Sequence, residues 1–157
     1  MDPGETQALR DIEAYGCHVI HVMADGDLPP FSYSVGIERT SQAPELFVIG
    51  LKQELAHFIV NSYNRRVRGG EVFENLGVYN DFIEGFGCQM RVMDQCFYKN
   101  YLGWCRWMYG GNNFKVLQLV YPTTEGIWPW EPRASEWFRT RQPLLDQPAP
   151  IDQGGLH

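Results

Sequence analysis

The residues with the types and spacing to do chemistry are few, and each has a plainer competing role. His18 and His21 stand three apart in a run, 17–23, whose apolar and β-branched residues predict a strand. Side chains alternate along a strand, so these two imidazoles face opposite sides and cannot chelate one ion together. His57 falls in a helix-patterned stretch and His157 in the last segment, and no Cys/His spacing matches a structural zinc site. No metal centre is expected. Cys17, Cys88, Cys96 and Cys105 form no Cys-x-x-Cys pair and are read as buried thiols. Cys96, near a helix start whose dipole would lower its pKa, is the one candidate nucleophile. A nucleophile also needs a base and an orienting group, which the spacing does not supply. Ser34-Val35-Gly36 is not a Gly-x-Ser-x-Gly elbow. The carboxylate pairs Asp25/Asp27 and Asp81/Glu84 lie in turns and loops, where solvated or capping roles are the rule. No catalytic residue is assigned.

Phosphate cradles are equally sparse. Gly69-Gly70 and Gly110-Gly111 end helical patterns, whereas a phosphate loop has to start one. Gly50-Leu51-Lys52 does precede a helix start. With Ser32, Ser34, Arg39 and Lys52 near it, it could receive one phosphate group, such as that of flavin mononucleotide. The preferred reading is that Gly50 ends a strand tightly and Lys52 lies at the surface. The aromatics Tyr98, Tyr101, Trp104, Trp107, Trp128, Trp130 and Trp137 are many for one small domain. They either bury one another or leave some of their number as anchors on a binding face.

The elements that must position these groups follow from pattern. Residues 7–15 predict a short helix stopped by Gly16. Strands are expected at 17–23, 31–37, 44–51, 87–93 and 114–121. The second alternates large apolar with small polar residues, as a half-buried strand does, and the third is almost wholly apolar, as a strand buried on both faces is. The first three, joined by short links, predict an antiparallel meander. Residues 52–68 carry an apolar stripe at helical spacing, and the basic run Arg65-Arg66-Val67-Arg68 at its end is read as complementing the helix dipole. Residues 71–85 read mostly as loop. Asp94 could cap a second helix over 95–109. After Pro122 the prolines forbid long elements, and Trp128-Pro129-Trp130 with Trp137-Phe138 predict an irregular segment that wraps over the body and plugs a groove.

Composition sets the outer bounds. The chain has 157 residues, 44% hydrophobic and 14% aromatic, enough for one packed core. A formal net charge of -6 argues against nucleic acid as a partner, since phosphate binding needs a basic footprint. The first residues lack the order of a signal peptide, and no apolar run is long enough to span a bilayer. A cytoplasmic protein without membrane contact is expected.

Phe31-x-Tyr33-Ser34-Val35-Gly36-Ile37, Pro44-Glu45-Leu46 and Gly50-Leu51, followed by Leu117-Gln118-Leu119-Val120-Tyr121-Pro122, Gly126, Trp128-Pro129-Trp130 and Gln142-Pro143-Leu144-Leu145, resemble in order the signature of a bacterial family known as domain of unknown function 4262. Ser34 and Ile37 stand where Thr and Leu are commoner. The resemblance implies kinship and no activity. The strand pair leading into an apolar strand and helix is also similar, at fold level, to the entry of flavin-reductase-type split barrels.

The expected architecture is α+β: one domain over 1–145, a mostly antiparallel and split-barrel-like sheet of about five strands with two main helices and a Pro/Trp-rich C-terminal wrap, then a disordered tail over 146–157. The leading functional expectation is a non-catalytic binding protein, of the immunity type that neutralises a basic toxin domain. Its contacts would be Glu71, Glu74, Tyr79, Asp81 and Glu84, with Trp104 and Trp107 as anchors. The alternative is a flavin-binding enzyme or carrier, with Tyr33 and Ser34 lining the flavin mononucleotide site and Lys52 on its phosphate.

Overall fold

A computed structural model describes residues 2–148. Its elements are α1 (Pro3–Tyr15), β1 (His18–Val22), β2 (Phe31–Val35), α2 (Ile37–Ser41), β3 (Glu45–Ile49), α3 (Gln53–Arg68), β4 (Val78–Ile83), β5 (Phe86–Val92), α4 (Tyr98–Tyr101), α5 (Gly103–Tyr109), β6 (Val116–Val120) and α6 (Glu136–Arg141). The six strands form one open sheet in the order β1-β2-β3-β6-β5-β4. Every neighbouring pair is antiparallel except β3 and β6, which run parallel with Glu45 opposite Val116. The α+β class, the mostly antiparallel sheet and the opening meander agree with the sequence reading.

Four expectations need correction. Residues 71–85, read mostly as loop, contain β4. As an edge strand β4 exposes Val78, Asn80 and Asp81, and its alternation breaks where the register shifts between Tyr79 and Ile83 and Asp81 takes φ +74°. The helix expected over 95–109 is broken at Leu102 (φ -119°, ψ 44°) into α4 and α5. That break lets Tyr98, Leu102 and Cys105 all pack on the sheet. The C-terminal wrap contains α6, capped by Ser135, whose Oγ accepts the Phe138 N–H at 3.1 Å. Finally, β2 is buried on both faces, not half-buried, because α3 covers one side of the sheet and α1, α4 and α5 cover the other. Leu46, Val48, Leu117 and Leu119 meet Ile59, Val60 and Tyr63 of α3. Tyr33, Val35, Phe47 and Ile49 meet Ile12, Tyr98, Leu102 and Cys105 on the opposite side.

Burying β2 leaves its serines in need of partners. Ser34 Oγ accepts the Leu46 N–H at 2.9 Å and so turns its own hydrogen to Glu45 Oε1, 2.7 Å away. Glu45 is fully buried, yet none of its partners is a cation. Its carboxylate accepts the backbone N–H groups of Gly36, Ile37 and Glu38, each at 3.1 Å, and the Tyr109 hydroxyl. Gly36 can present its N–H because it holds φ +107°, with Ile12 so close that a Cβ would lie 2.7 Å from it. Burial pushes the Glu45 pKa up, while these hydrogen bonds oppose the rise. All five neighbours offer hydrogens, so the cage suits the ionised form; a protonated carboxyl would aim its hydrogen at a donor.

The C-terminal segment is fastened by two buried glutamines. Gln142 donates to the Tyr121 carbonyl and accepts the Tyr121 N–H, at 2.8 and 2.9 Å, closing a pair of bonds like those of a strand ladder. Gln118 does the same in reverse, with the Pro143 carbonyl at 2.8 Å and the Leu145 N–H at 2.9 Å. Asp146 then pairs with Arg91 at 2.8 Å, and residues 149–157 of the expected tail lie outside the described residues.

At the sheet's β1 edge, His21 bridges Ser32 and α3. Its Nδ1 lies 2.6 Å from Ser32 Oγ and its Nε2 lies 3.0 Å from His57 Nδ1. Burial first, then His57 and His18, holds the His21 pKa below the ordinary histidine value, with Glu54 opposing.

Two outcomes follow. Glu45→Gln places an amide hydrogen among donors, and should lower unfolding free energy in urea by about 3 kcal/mol. A loss within error of zero would show that the cage is not needed. For His21, a depressed folded pKa gives stability that is present above the unfolded value of about 6.5 and lost as pH falls through the folded value. Thermal melts from pH 7.5 down to 5 should therefore show a smaller drop in Tm for His21→Gln than for the parent chain; parallel curves would refute that linkage.

Candidate functional site

The parallel strands β3 and β6 end side by side, and the chain leaves them in different directions. β3 passes through Gly50 and Leu51 into α3, and β6 passes through Tyr121 and Pro122 into the C-terminal wrap. Open sheets of this kind form crevices where neighbouring strands part at their carboxyl ends. Here the crevice is a cavity of about 340 Å³, roofed by α6 and closed at one side by the β4–β5 hairpin. Its walls are mostly apolar, with Leu55, Ile83, Phe86 and Phe138 among them. Such a mix of apolar wall and few polar groups is typical of small-molecule sites.

Gly50 sets the floor. It holds φ +90°, and a Cβ there would lie 2.6 Å from both the Arg141 carbonyl oxygen and the Tyr121 hydroxyl. Tyr121 in turn donates to the Ile49 carbonyl at 2.8 Å. Burial pushes the Tyr121 phenol up, and the Arg141 charge pulls against it. The rim carries Thr123, Thr124, Trp137 and Arg141. Residues 137 and 141 are four apart on α6 and so share a face. The Arg141 guanidinium lies 5.5 Å from the Trp137 ring centre and has no carboxylate partner among the described residues. Trp137 remains 68% exposed, whereas Phe138 beside it is buried. Of the pair Trp137-Phe138, expected to lie in a wrap that plugs a groove, only Phe138 is buried. α3 begins beside the cavity with no side-chain cap on its first amides.

The residues named from sequence for a flavin do not share a surface. Tyr33 is buried against α4 and α5, and its hydroxyl accepts the Trp104 N–H at 3.2 Å. Ser34 is fully buried and engaged by Glu45 and Leu46. Lys52 stands exposed at the start of α3.

The residues named for a partner divide between two regions. Glu71, Glu74, Tyr79, Asp81 and Glu84 lie along β4, in the segment before it and in the turn after it. Trp104 and Trp107 sit on α5, where Trp104 packs toward His18 of β1, the opposite edge of the sheet. Within the first group Glu71 is engaged by Arg66, at 2.6 and 2.8 Å, and the Tyr79 hydroxyl accepts the Glu74 N–H at 2.8 Å. Asp81 and Glu84 are exposed. Cys96 is exposed at the turn before α4, where Asp94 caps the backbone; its thiol is pushed up, not down. The other three cysteines are buried, as expected.

Sequence reasoning counted Trp137 among the aromatics that could anchor a binding face but missed Arg141, although their spacing on one helical face was available as a signal. It could not join them to Ile83, Phe86 and Tyr121, which meet only because β3 and β6 pair in parallel. The arginine run was also read too simply. Arg66 pairs with Glu71 and lies 4.4 Å from the Phe82 ring centre, while Arg65 and Arg68 have no carboxylate partner among the described residues.

Among the described residues no group of three or more His, Cys, Asp or Glu could hold a metal ion, and no helix is long and apolar enough to cross a membrane. No curated protein and no solved structure matches the chain. One family model does, over residues 11–135, a span that includes the Glu45 cage, the Gly50 turn and the Tyr121-Pro122 exit of β6. The chain therefore belongs to the family described as Domain of unknown function (DUF4262).

Proposed function

We propose that the protein binds a small amphipathic anion, an aromatic or branched aliphatic acid, in the cavity at the ends of β3 and β6. The observation that carries this reading is Arg141, a guanidinium with no carboxylate partner among the described residues, at a mostly apolar cavity beside an exposed tryptophan. An apolar body would displace water from Leu55, Ile83, Phe86 and Phe138. Its acid group would meet Arg141, and Thr123 and Thr124 offer hydroxyls near it. Trp137 would cover the ligand with its ring. The four free cysteines support a reducing, cytoplasmic setting.

The probe 8-anilinonaphthalene-1-sulfonate combines an apolar ring system with one anionic group and reports its own burial by fluorescence. It should bind the folded protein saturably. Arg141→Gln and Trp137→Ala should each weaken it by about tenfold, the equivalent of one lost charge-assisted or aromatic contact. Equal binding by the parent and both variants would place the probe elsewhere and sink the reading.

A second reading, capture of a basic protein partner such as a toxin domain, is favoured by one feature of the β4 edge. Val72, Leu76 and Val78 are 75%, 55% and 57% exposed among the acidic Glu74, Asp81 and Glu84. Apolar side chains ringed by charge on an open strand edge suit an interface. Against a candidate basic partner, Val78→Lys with Asp81→Lys should abolish complex formation in analytical ultracentrifugation while the melt stays cooperative. An unaltered complex would remove the β4 edge from consideration.

A further inference from the structure

Further along α3, a second and more polar recess lies between this helix, α1 and β1. It has a volume of about 790 Å³. His57, Asn61, Asn64, Arg65 and Arg68 line it from one face of α3, at spacings of four, three, one and three residues. Asp11 of α1 is the carboxylate in the lining, and it is occupied: its Oδ2 lies 2.7 Å from His18 Nδ1. Arg65 and Arg68 thus bring two guanidiniums to a recess where no carboxylate answers them among the described residues. Arg68 spends Nη1 on the Tyr15 carbonyl, which leaves its other N–H groups free to serve a ligand. His57 has its Nδ1 beside His21, so Nε2 is the nitrogen it can offer to the recess. A recess focuses the field of the charges that line it.

Asn64 supplies the independent observation. It is 6% exposed, and its Nδ2 donates to the Tyr15 carbonyl at 2.8 Å, which fixes the orientation of the amide. Its Oδ1 is buried and accepts no hydrogen bond, the one such side-chain atom among the described residues. Buried acceptors are nearly always paired, so an unpaired one on a residue that lines a recess marks a missing donor. The arginines call for an anion, and the asparagine calls for an N–H or O–H carried close to it. A fully deprotonated anion such as sulfate supplies the first feature without the second.

We propose that this recess binds a small organic anion, phosphate or carboxylate in type, that carries an ammonium or hydroxyl donor beside its acid group. Arg65 and Arg68 hold the acid, and Asn64 Oδ1 accepts from the donor. The site is separate from the cavity at the ends of β3 and β6 and shares no lining residue with it.

The test uses the intact chain and four probes. O-phosphoserine and L-glutamate carry acid plus donor, one with phosphate and one with carboxylate alone; their simple counterparts, sulfate as a tetrahedral oxyanion and acetate, carry neither an ammonium nor a hydroxyl. Binding is read from the Asn64 side-chain amide and arginine Nε signals in ¹H–¹⁵N spectra. At least one donor-bearing probe should saturate these signals about tenfold more tightly than its simple counterpart. A preference for O-phosphoserine over L-glutamate assigns the phosphate class, and the reverse assigns the carboxylate class. Arg65→Gln, at an exposed position without an ion pair among the described residues, should weaken that probe by about tenfold with an unchanged melting temperature. Saturation by none of the probes in the millimolar range overturns the proposal. So does equal affinity for a probe and its simple counterpart, which would leave Asn64 without a role, or an affinity unmoved by Arg65→Gln.

Discussion

A buried carboxylate with no cation among its partners governs how this chain is put together. Glu45 begins the central strand β3, and its charge is met only by dipoles: three backbone N–H groups at the turn into α2, the Ser34 hydroxyl and the Tyr109 hydroxyl. These donors come from three places, the Ser34 side chain of β2, the turn into α2 and Tyr109 of α5, so one side chain fixes β2, α2, β3 and α5 against one another. Such nests of backbone N–H groups stabilise an anion without a counter-charge, provided that all of them converge. The charge is felt by its neighbours. After burial itself, it is the next cause that pushes the Cys17 and Cys105 thiols and the Tyr63 and Tyr109 phenols up, Cys17 to about 12. Cys17 and Cys105 are therefore inert packing groups at neutral pH.

The same economy of polar groups runs through the rest of the core. Gln118 and Gln142 are both fully buried, and each imitates a strand partner for a segment that is not a strand. They carry the wrap across the open end of β6 and set α6 over the cavity. The cavity is thus a product of topology. A parallel pair placed inside an otherwise antiparallel sheet forces two chains to diverge at one end, and the wrap covers the gap without filling it.

Much of this was legible in the residues. Five of the six strands, α3 and the meander follow from alternation, apolar runs and Gly/Pro punctuation. The segments around Ser34, Glu45 and Gly50 stood out as a signature, although their meaning did not. Nothing in the local pattern tells that a glutamate at a strand start is buried, because its partners at Gly36 and Tyr109 come from a left-handed turn and a helix 64 residues further on. β4 was hidden by its exposed polar residues, and the break at Leu102 by an apolar pattern that continues through it. The recess beside α3 escaped because arginines at a helix end have a sufficient local explanation in the dipole. Only the packing of α1 and β1 shows which of them are already spoken for.

The parallel register of β3 with β6 carries a consequence for how the molecule comes into being. Glu45 and Val116 are about seventy residues apart in the chain, so the most apolar strand waits for its second neighbour until most of the polypeptide is present. Until then β3 is an edge, with Leu46 to Ile49 offered to any other strand that meets it. Contacts of such sequence separation close slowly, since the loop between them must lose its freedom before the pairing repays it. Growth of the chain on the ribosome would expose this strand for longest. The second side of β3 can therefore be covered only after residues 116–118 have been made.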